Sequence, residues 1–448
     1  MSTVFVLVMT LVAALILLVG TTTLMWMLDA WRTPDSLART GFGPDAPRSD
    51  RADLIDLTDL ADRRRTRPAL ESFSLIVPAR HEEHVLGETI DRLARLDHPD
   101  FEVLVVIGHD DPGTQAVADR AAARHPDLVR VVIDHNWPKN KPKALNTALP
   151  ECRGSVVGVF DAEDEVAAGL LRSVESCMRT EGADVVQGAV QLMNFQSSWW
   201  ALHNVLEYFF YFHSRLHFQA RQRFIPLGGN TVFIRRDLLV DAGGWDPDCL
   251  AEDCEVGVRL SVAGARVAVA YDPALATREE TPADIRDLVR QRTRWNQGFL
   301  QVLAKGAWRE LPSRRQRLFA RYTLALPLLQ ALAGVVLPLA LLSVFLLRTP
   351  VLLVLFFFLP AVVTLTTLAV LAAGLGDFAR QYGFRAGPRD YLRLTLGLVP
   401  YQVLLAIAAV RATVRQARSQ INWEKTTHVG AHRHLGVRGV SPAEGASV

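Results

Sequence analysis

Four carboxylates stand within five positions in "FDAEDEV", Phe160 to Val166, directly after the apolar run "SVVGVF". Asp161 and Glu163, one residue apart at the end of a buried strand, have the spacing of hard oxygen ligands for a divalent cation. Acidic residues also favour the first turn of a helix, where they cap free N–H groups and complement the macrodipole. Asp164 and Glu165 fit that second role, ahead of the helical stretch "AAGLLRSVESCM". Four further stretches carry chemistry of the same kind. "GHDDPGT" offers Asp110 and Asp111, and "NKPKALN" offers Lys141, Lys143 and Asn146. "CLAEDCEVGVRL" sets Glu252 and Asp253 before a helix, from where a carboxylate can take a proton from an incoming nucleophile. "QRTRWNQG" combines Gln291, Arg292, Arg294, Trp295 and Gln297. Its guanidinium groups can neutralise a diphosphate leaving group, and its indole can stack on a sugar ring.

These residues need a frame. "SFSLIVPA", "FEVLVVIG", "LVRVVID" and "SVVGVF" are short apolar runs separated by the helical patterns "HVLGETIDRLARL" and "TQAVADRAAARH". The alternation predicts βαβ units, a mostly parallel sheet and helices on both faces. Ligands bind outside the carboxyl ends of strands in such sheets, where the acidic and basic stretches all fall. Past Gly182, "ADVVQGAVQL" reads as a strand, "SSWWALHNVLEYFFYFHSRLHFQ" as a long aromatic helix, and "NTVFIRRDLLVDAGG" as a strand entering a helix. Carboxylates and lysines gathered at one sheet edge suit a nucleotide diphosphate held through Mg2+ or Mn2+, while zinc-type His and Cys ligands are missing there.

The rest of the chain is apolar. Residues 1–28, 322–347 and 349–376 contain no charged side chain, and each run exceeds the roughly 20 residues that span a bilayer. The first has no basic n-region and no small-residue cleavage pattern, so it reads as a span and not a signal peptide. A fourth run, Leu394 to Val410, is uncharged for only 17 residues and contains Pro400, which leaves crossing and interfacial placements open. Arg32, Arg39, Arg48, Arg51 and "RRRTR" after the first span place the middle of the chain in the cytosol. Three later crossings would put Arg411, Arg415, Arg418 and Lys425 outside, so one C-terminal run is expected not to cross. A net charge of +2, with arginines clustered beside the spans, argues against nucleic acid and for lipid headgroups. The four cysteines form no Cys-x-x-Cys pair and read as buried thiols.

The order "VPARHEE", "DD", "KPKALN", "DAED", "GGN" (Gly228 to Asn230), "AED" and "QRTRW", followed by spans and the tail "NWEKTTHVG", resembles the membrane-bound family 2 inverting glycosyltransferases, which include cellulose, chitin and hyaluronan synthases and ceramide glucosyltransferases. The resemblance implies a GT-A nucleotide-diphospho-sugar transferase fold over 71–310, after a span at 1–28 and a juxtamembrane linker at 29–70. A membrane region at 311–412 and a cytosolic tail at 413–448 follow. It implies a nucleotide pocket at Pro78, Glu82 and Asp110 or Asp111, with Lys143 and Gln291 also on the donor. Asp161 and Glu163 match the metal-binding Asp-x-Asp motif, with Mg2+ or Mn2+ as cofactor. Asp253 matches the general base and Arg294 the group at the leaving diphosphate, while Gly229, Asn230, Glu252 and Trp295 fall on the acceptor side. Glu163 stands for the usual second Asp, Ala251 for a Thr whose hydroxyl would cap a helix, and Val166 for a common Pro. The expected activity is multi-pass, in the inner membrane: sugar transfer from a UDP- or GDP-sugar to a growing polysaccharide, processively, with export subunits as partners. The alternative is one transfer to a lipid acceptor, and a catalytically inactive scaffold is a third reading.

Overall fold

The structure, a computed structural model, describes residues 3–31, 71–346, 351–422, 424 and 430–434. The expected linker therefore lies, beyond residue 31, outside the described residues, as do its arginine clusters. The chain enters through helix α1 (Thr3–Leu28). The transferase domain then runs β1 (Phe73–Ala79), α2 (Leu86–Leu93), β2 (Phe101–Gly108), α3 (Pro112–Arg124), β3 (Val129–Asp134), α4 (Lys141–Ala148), β4 (Val156–Val159) and α5 (Leu170–Glu181). It continues with β5 (Val185–Gly188), β6 (Val190–Leu192), α6 (Trp199–Phe210), α7 (Leu216–Arg221), β7 (Val232–Arg235), α8 (Arg236–Asp241), α9 (Glu252–Val262), β8 (Val267–Ala270), β9 (Thr277–Glu279) and α10 (Ile285–Lys305). Three long helices follow, α11 (Arg314–Leu346), α12 (Val351–Gln381) and α13 (Pro388–Ala417).

The main sheet has seven strands in the order β3-β2-β1-β4-β7-β5-β8, and β6 and β9 pair separately. β3, β2, β1 and β4 are parallel, as the alternation predicts, while β7 runs antiparallel between β4 and β5. Period-two alternation divides the central strands between two cores. Leu75, Val77, Val103 and Val105 pack on one face, Ile76, Leu104 and Val106 on the other, all fully buried. Each such side chain contributes about 1.5–3 kcal/mol by leaving water. The strand order reverses its direction of travel at the β1/β4 pair, so a crevice opens at their carboxyl ends.

The single strand expected over "ADVVQGAVQL" divides into β5 and β6, which belong to different sheets. The aromatic helix starts where Ser198 caps the Ala201 N–H at 3.0 Å. It passes through a π-helical turn, Tyr211–Arg215, between α6 and α7. Widened turns of this kind re-aim side chains and recur at functional sites.

Helix α10 carries "QRTRW" and crosses the start of α9 at its one glycine. A Cβ on Gly298 would overlap the Ala251 side chain and lie 2.5 Å from the Ala251 nitrogen. Glycine is therefore what lets these two helices approach and bring Arg294 beside Asp253.

Among the described residues, three helical stretches are long and apolar enough to cross a membrane, Ala13–Trp31, Val362–Gln381 and Pro388–Ala417. The last is α13, and both its ends are bonded to the transferase domain. Near its start Asp390 accepts from Gln196 at 3.3 Å, and near its finish Arg415 donates to Gln297 at 3.0 Å. α13 thus lies along α10 and α6.

Candidate active site

A cavity of about 1540 Å3 opens where the strand ends meet α9 and α10. Its charged end is lined by Pro78 near the end of β1 and Glu82 after it, Asp134 at the end of β3 with Lys139 and Lys141 after it, and Asp161 and Glu163 after β4. Gly228, Gly229 and Asn230 before β7, Glu252 and Asp253 on α9, and Gln291, Arg292, Arg294 and Trp295 on α10 complete it. Most residues singled out in the sequence therefore share one space.

Asp161 and Glu163 line the cavity, but Asp164 and Glu165 do not sit at a helix start as expected: α5 begins behind Gly169 with no side-chain cap and no acidic residue in its first turn. Asp161 is ion-paired with the Lys141 ammonium, which also donates to the Gly229 carbonyl at 2.8 Å. Glu163 is buried beside it on the cavity wall. Asp164 is fully buried and accepts the Asp161 N–H at 2.8 Å, so it shapes the ligand loop from behind. Burial and the neighbouring Glu279, Asp161 and Glu163 raise its pKa well above the ordinary range. Glu165 turns away and pairs with Arg92 at 3.2 Å.

Three expected roles shift. Lys143 directs its ammonium to the Trp137 and Pro138 carbonyls, at 3.2 Å each, and Lys141 is the lysine on the cavity wall. Neither Asp110 nor Asp111 lines the cavity. Asp110 pairs with Arg80 at 2.9 Å, whereas Asp111 is buried, caps α3 at Thr114 and accepts the His81 N–H at 2.6 Å. Asp111 thereby fixes the loop that carries Glu82 without facing the donor space. Asn230 is spent internally, with its amide shared between Asp164, at 3.1 Å, and Glu279.

Lys141 is held charged: burial opposes its ammonium, but Asp161, Glu252 and Asp253 outweigh that and raise its pKa. For Asp253, burial raises the carboxyl against the Cys254 N–H, Lys141 and Arg294, and the net shift is upward. Burial and then the Asp253 charge push Glu252 to about 7 from an ordinary 4.5. A carboxyl raised in the fold binds its proton more tightly there than in the unfolded chain. Stability from Glu252 is thus full below pH 4.5 and is lost as pH rises through about 7. The melting temperature of the wild type is expected to fall across that window more steeply than that of Glu252→Gln. Equal slopes in a pH series of melting curves would contradict the assignment.

Around the core, residues that sequence reading did not single out, Glu207, Tyr401 and Arg433, bond to ones that it did. Arg292 lies 4.3 Å from the Trp295 ring and pairs with Glu207 at 2.7 Å, which also accepts from Tyr401 at 2.5 Å. The tail closes over the other side, where Arg433 donates to the Glu163 carbonyl at 3.1 Å and Thr89 at 2.6 Å, and the Gly430 N–H meets Glu280 at 2.9 Å. Ala251 precedes α9 with no side-chain cap, as its replacement of Thr implies.

Comparison with known proteins places the chain in a family. The profile described as "Glycosyltransferase like family 2" matches residues 68–298, just over half of the chain. The chain belongs to glycosyltransferase family 2, and it is an enzyme of that class with a GT-A fold and apolar helices suited to a membrane. It is 27% identical over 385 residues to a β-monoglucosyldiacylglycerol synthase of Synechocystis, covering 80% of this chain and 75% of that protein. It is 29% identical to a probable glycosyltransferase of Bacillus subtilis, covering 53% of this chain and 57% of that one. It is 22% identical to a poly-β-1,6-N-acetyl-D-glucosamine synthase of Staphylococcus epidermidis, covering 56% and 60%. The chain thus spans less than two thirds of the last two relatives. In structure it is similar to a mannosyltransferase of Pyrobaculum calidifontis solved with GDP-mannose and Mn2+, with a TM-score of 0.55, 19% identity and coverage of 92% of this chain and 99% of that one.

Proposed function

We propose that this protein transfers one sugar, with inversion, from a nucleotide-diphosphate sugar to a hydroxyl of a lipid acceptor at the cytosolic face of the inner membrane. The lipid part is carried by the continuity of the cavity. From Asp253 and Trp295 it extends without a break to an aliphatic wall that includes Ile16, Val19, Leu326, Val363, Val403 and Ile407. Acyl chains need only apolar contacts, whereas a polysaccharide leaves through surfaces that hydrogen-bond and stack on its rings. The wall suits the former. The relative named for a polymer favours the processive reading, in which export subunits would also be needed.

In the step proposed, Asp253 takes the proton of the acceptor hydroxyl. The oxygen attacks the anomeric carbon from the face opposite the diphosphate, and the bond to the diphosphate breaks with its electron pair. Lys141 and Arg294 offset the charge that builds on the departing group. Trp295, held by Arg292 over its ring and the Tyr208 ring 6.2 Å away, lines the cavity where the acceptor would sit. Asp161 and Glu163 would hold Mg2+ or Mn2+: they are hard oxygen donors, and the Lys141 ammonium at Asp161 marks a place built for positive charge. When bound, that cation supplies charge neutralisation at the diphosphate. Incubating the purified chain in lipid bilayers with labelled UDP- and GDP-sugars, with and without Mn2+, tests this proposal. Label in one organic-soluble product of fixed size is expected, and a water-soluble ladder would move the assignment to the polymer.

A further inference from the structure

Among the described residues, five cations on the cavity wall have a carboxylate partner. Arg80, Lys139, Lys141, Arg292 and Arg411 pair with Asp110, Asp134, Asp161, Glu207 and Glu424 in turn. Arg294 lies near Glu252, Asp161 and Asp253 and donates to the Glu424 carbonyl at 3.4 Å. Arg215 differs. The π-helical turn 211–215 places it on the same wall, with its guanidinium 4.4 Å from the Trp26 ring and 5.7 Å from the Tyr211 ring. It makes no hydrogen bond or ion pair with a described residue, and its Nε is buried without an acceptor.

Its neighbours deepen the imbalance. The Trp26 indole N–H and the Tyr322 hydroxyl are also buried without partners, and their rings lie 6.3 Å apart. A guanidinium, an indole and a phenol can all donate, and no described residue supplies an acceptor to the Arg215 Nε, the Trp26 indole or the Tyr322 hydroxyl. Contact with aromatic faces recovers part of the cost of burying the cation, but hydrogen bonds to an anion are still missing. The position fits an interfacial one, since Trp26 ends an apolar helix and Trp and Tyr favour headgroup depth.

We propose that Arg215 seats a phosphate group of a membrane lipid whose acyl chains lie on the aliphatic wall of the cavity. A phosphate presents planar pairs of oxygens that a guanidinium can grip through two N–H groups, and neutral lipids offer nothing equivalent. The chain placement rests on the lipid reading of the cavity proposed above, while the seat itself does not depend on transfer. The lipid is either the acceptor or a resident phospholipid beside it, and both present the same phosphate.

The test is equilibrium binding to the full chain in neutral detergent, with no sugar donor, of fluorescent phosphatidylglycerol and fluorescent diacylglycerol bearing the same chains. The wild type is expected to prefer the phosphate-bearing probe by about tenfold. Arg215→Gln removes that preference, and Arg215→Lys retains a smaller one, with melting temperatures recorded for both. No preference in the wild type, or a full preference in a folded Arg215→Gln, overturns the proposal. Loss of preference only in variants with lowered melting temperature also overturns it, since the arginine then acts on the fold. Displacement of the probe by inorganic phosphate at equal affinity would assign the seat to a free anion and overturn the lipid part. Adding a labelled sugar donor distinguishes the sources: glycosylated phosphatidylglycerol identifies the acceptor, and bound but unmodified lipid identifies a resident. A preserved preference with no transfer to any lipid sinks the lipid-acceptor reading and leaves the seat standing.

Discussion

Asp253→Asn is expected to lower kcat by about a thousandfold while leaving donor affinity nearly unchanged. The substitution keeps the size of the side chain and the acceptor for the Cys254 N–H, bonded at 2.7 Å, so the start of α9 is retained. What it removes is the only function asked of this group, acceptance of the hydroxyl proton. The charge of Asp253 also raises Glu252, so its loss should move the Glu252 titration downward from about 7. Kinetics at saturating donor, with donor binding measured separately, check both parts. A variant that still turns over would remove Asp253 from the role of base.

Arg294→Gln is expected to reduce kcat by about 10²- to 10³-fold, the scale of losing one preorganised group at a developing negative charge. Burial works against its charge, while Glu252, Asp161 and Asp253 favour it, so it is a cation kept in place by the site's own carboxylates. Removing it takes away one of the charges that lower Glu252, so that titration should move upward, opposite to the effect of Asp253→Asn. The opposed pH shifts separate the two residues even though both variants lose rate. A higher KM with unchanged kcat would instead mean that Arg294 binds ground state and transition state alike.

Much of this site is legible from residue type and strand order. "FDAEDEV" ends a buried strand, so Asp161 and Glu163 reach the crevice, and the parallel order of β1 to β4 brings the other strand ends to them. The lysine was harder. Lys141 and Lys143 are two positions apart on a helix, about 200° around its axis, so only one can face the cavity. The signal that decides between them is Asn140, whose side chain caps the Lys143 N–H at 3.0 Å and sets Lys141 at the first helical position. Asp111 likewise carries its own cap signal, Asp followed by Pro and then Thr114, which identifies it as a helix start. Asn230 could not be placed from sequence, because its partners Asp164 and Glu279 come from distant segments. Arg215 was hidden for another reason: an unbroken aromatic helix gives no sign of a π-helical turn, and that turn decides where the guanidinium points.

The acceptor is the central claim, and the fold alone leaves it undetermined, since polymer and lipid acceptors both occur among the names of the relatives. The most direct measurement is mass spectrometry of the organic extract after the purified chain, reconstituted in bilayers, has been given a nucleotide-sugar donor and Mn2+. A lipid heavier by one sugar residue, absent with Asp253→Asn, is the result predicted. A series of water-soluble oligosaccharides with no glycosylated lipid would contradict it.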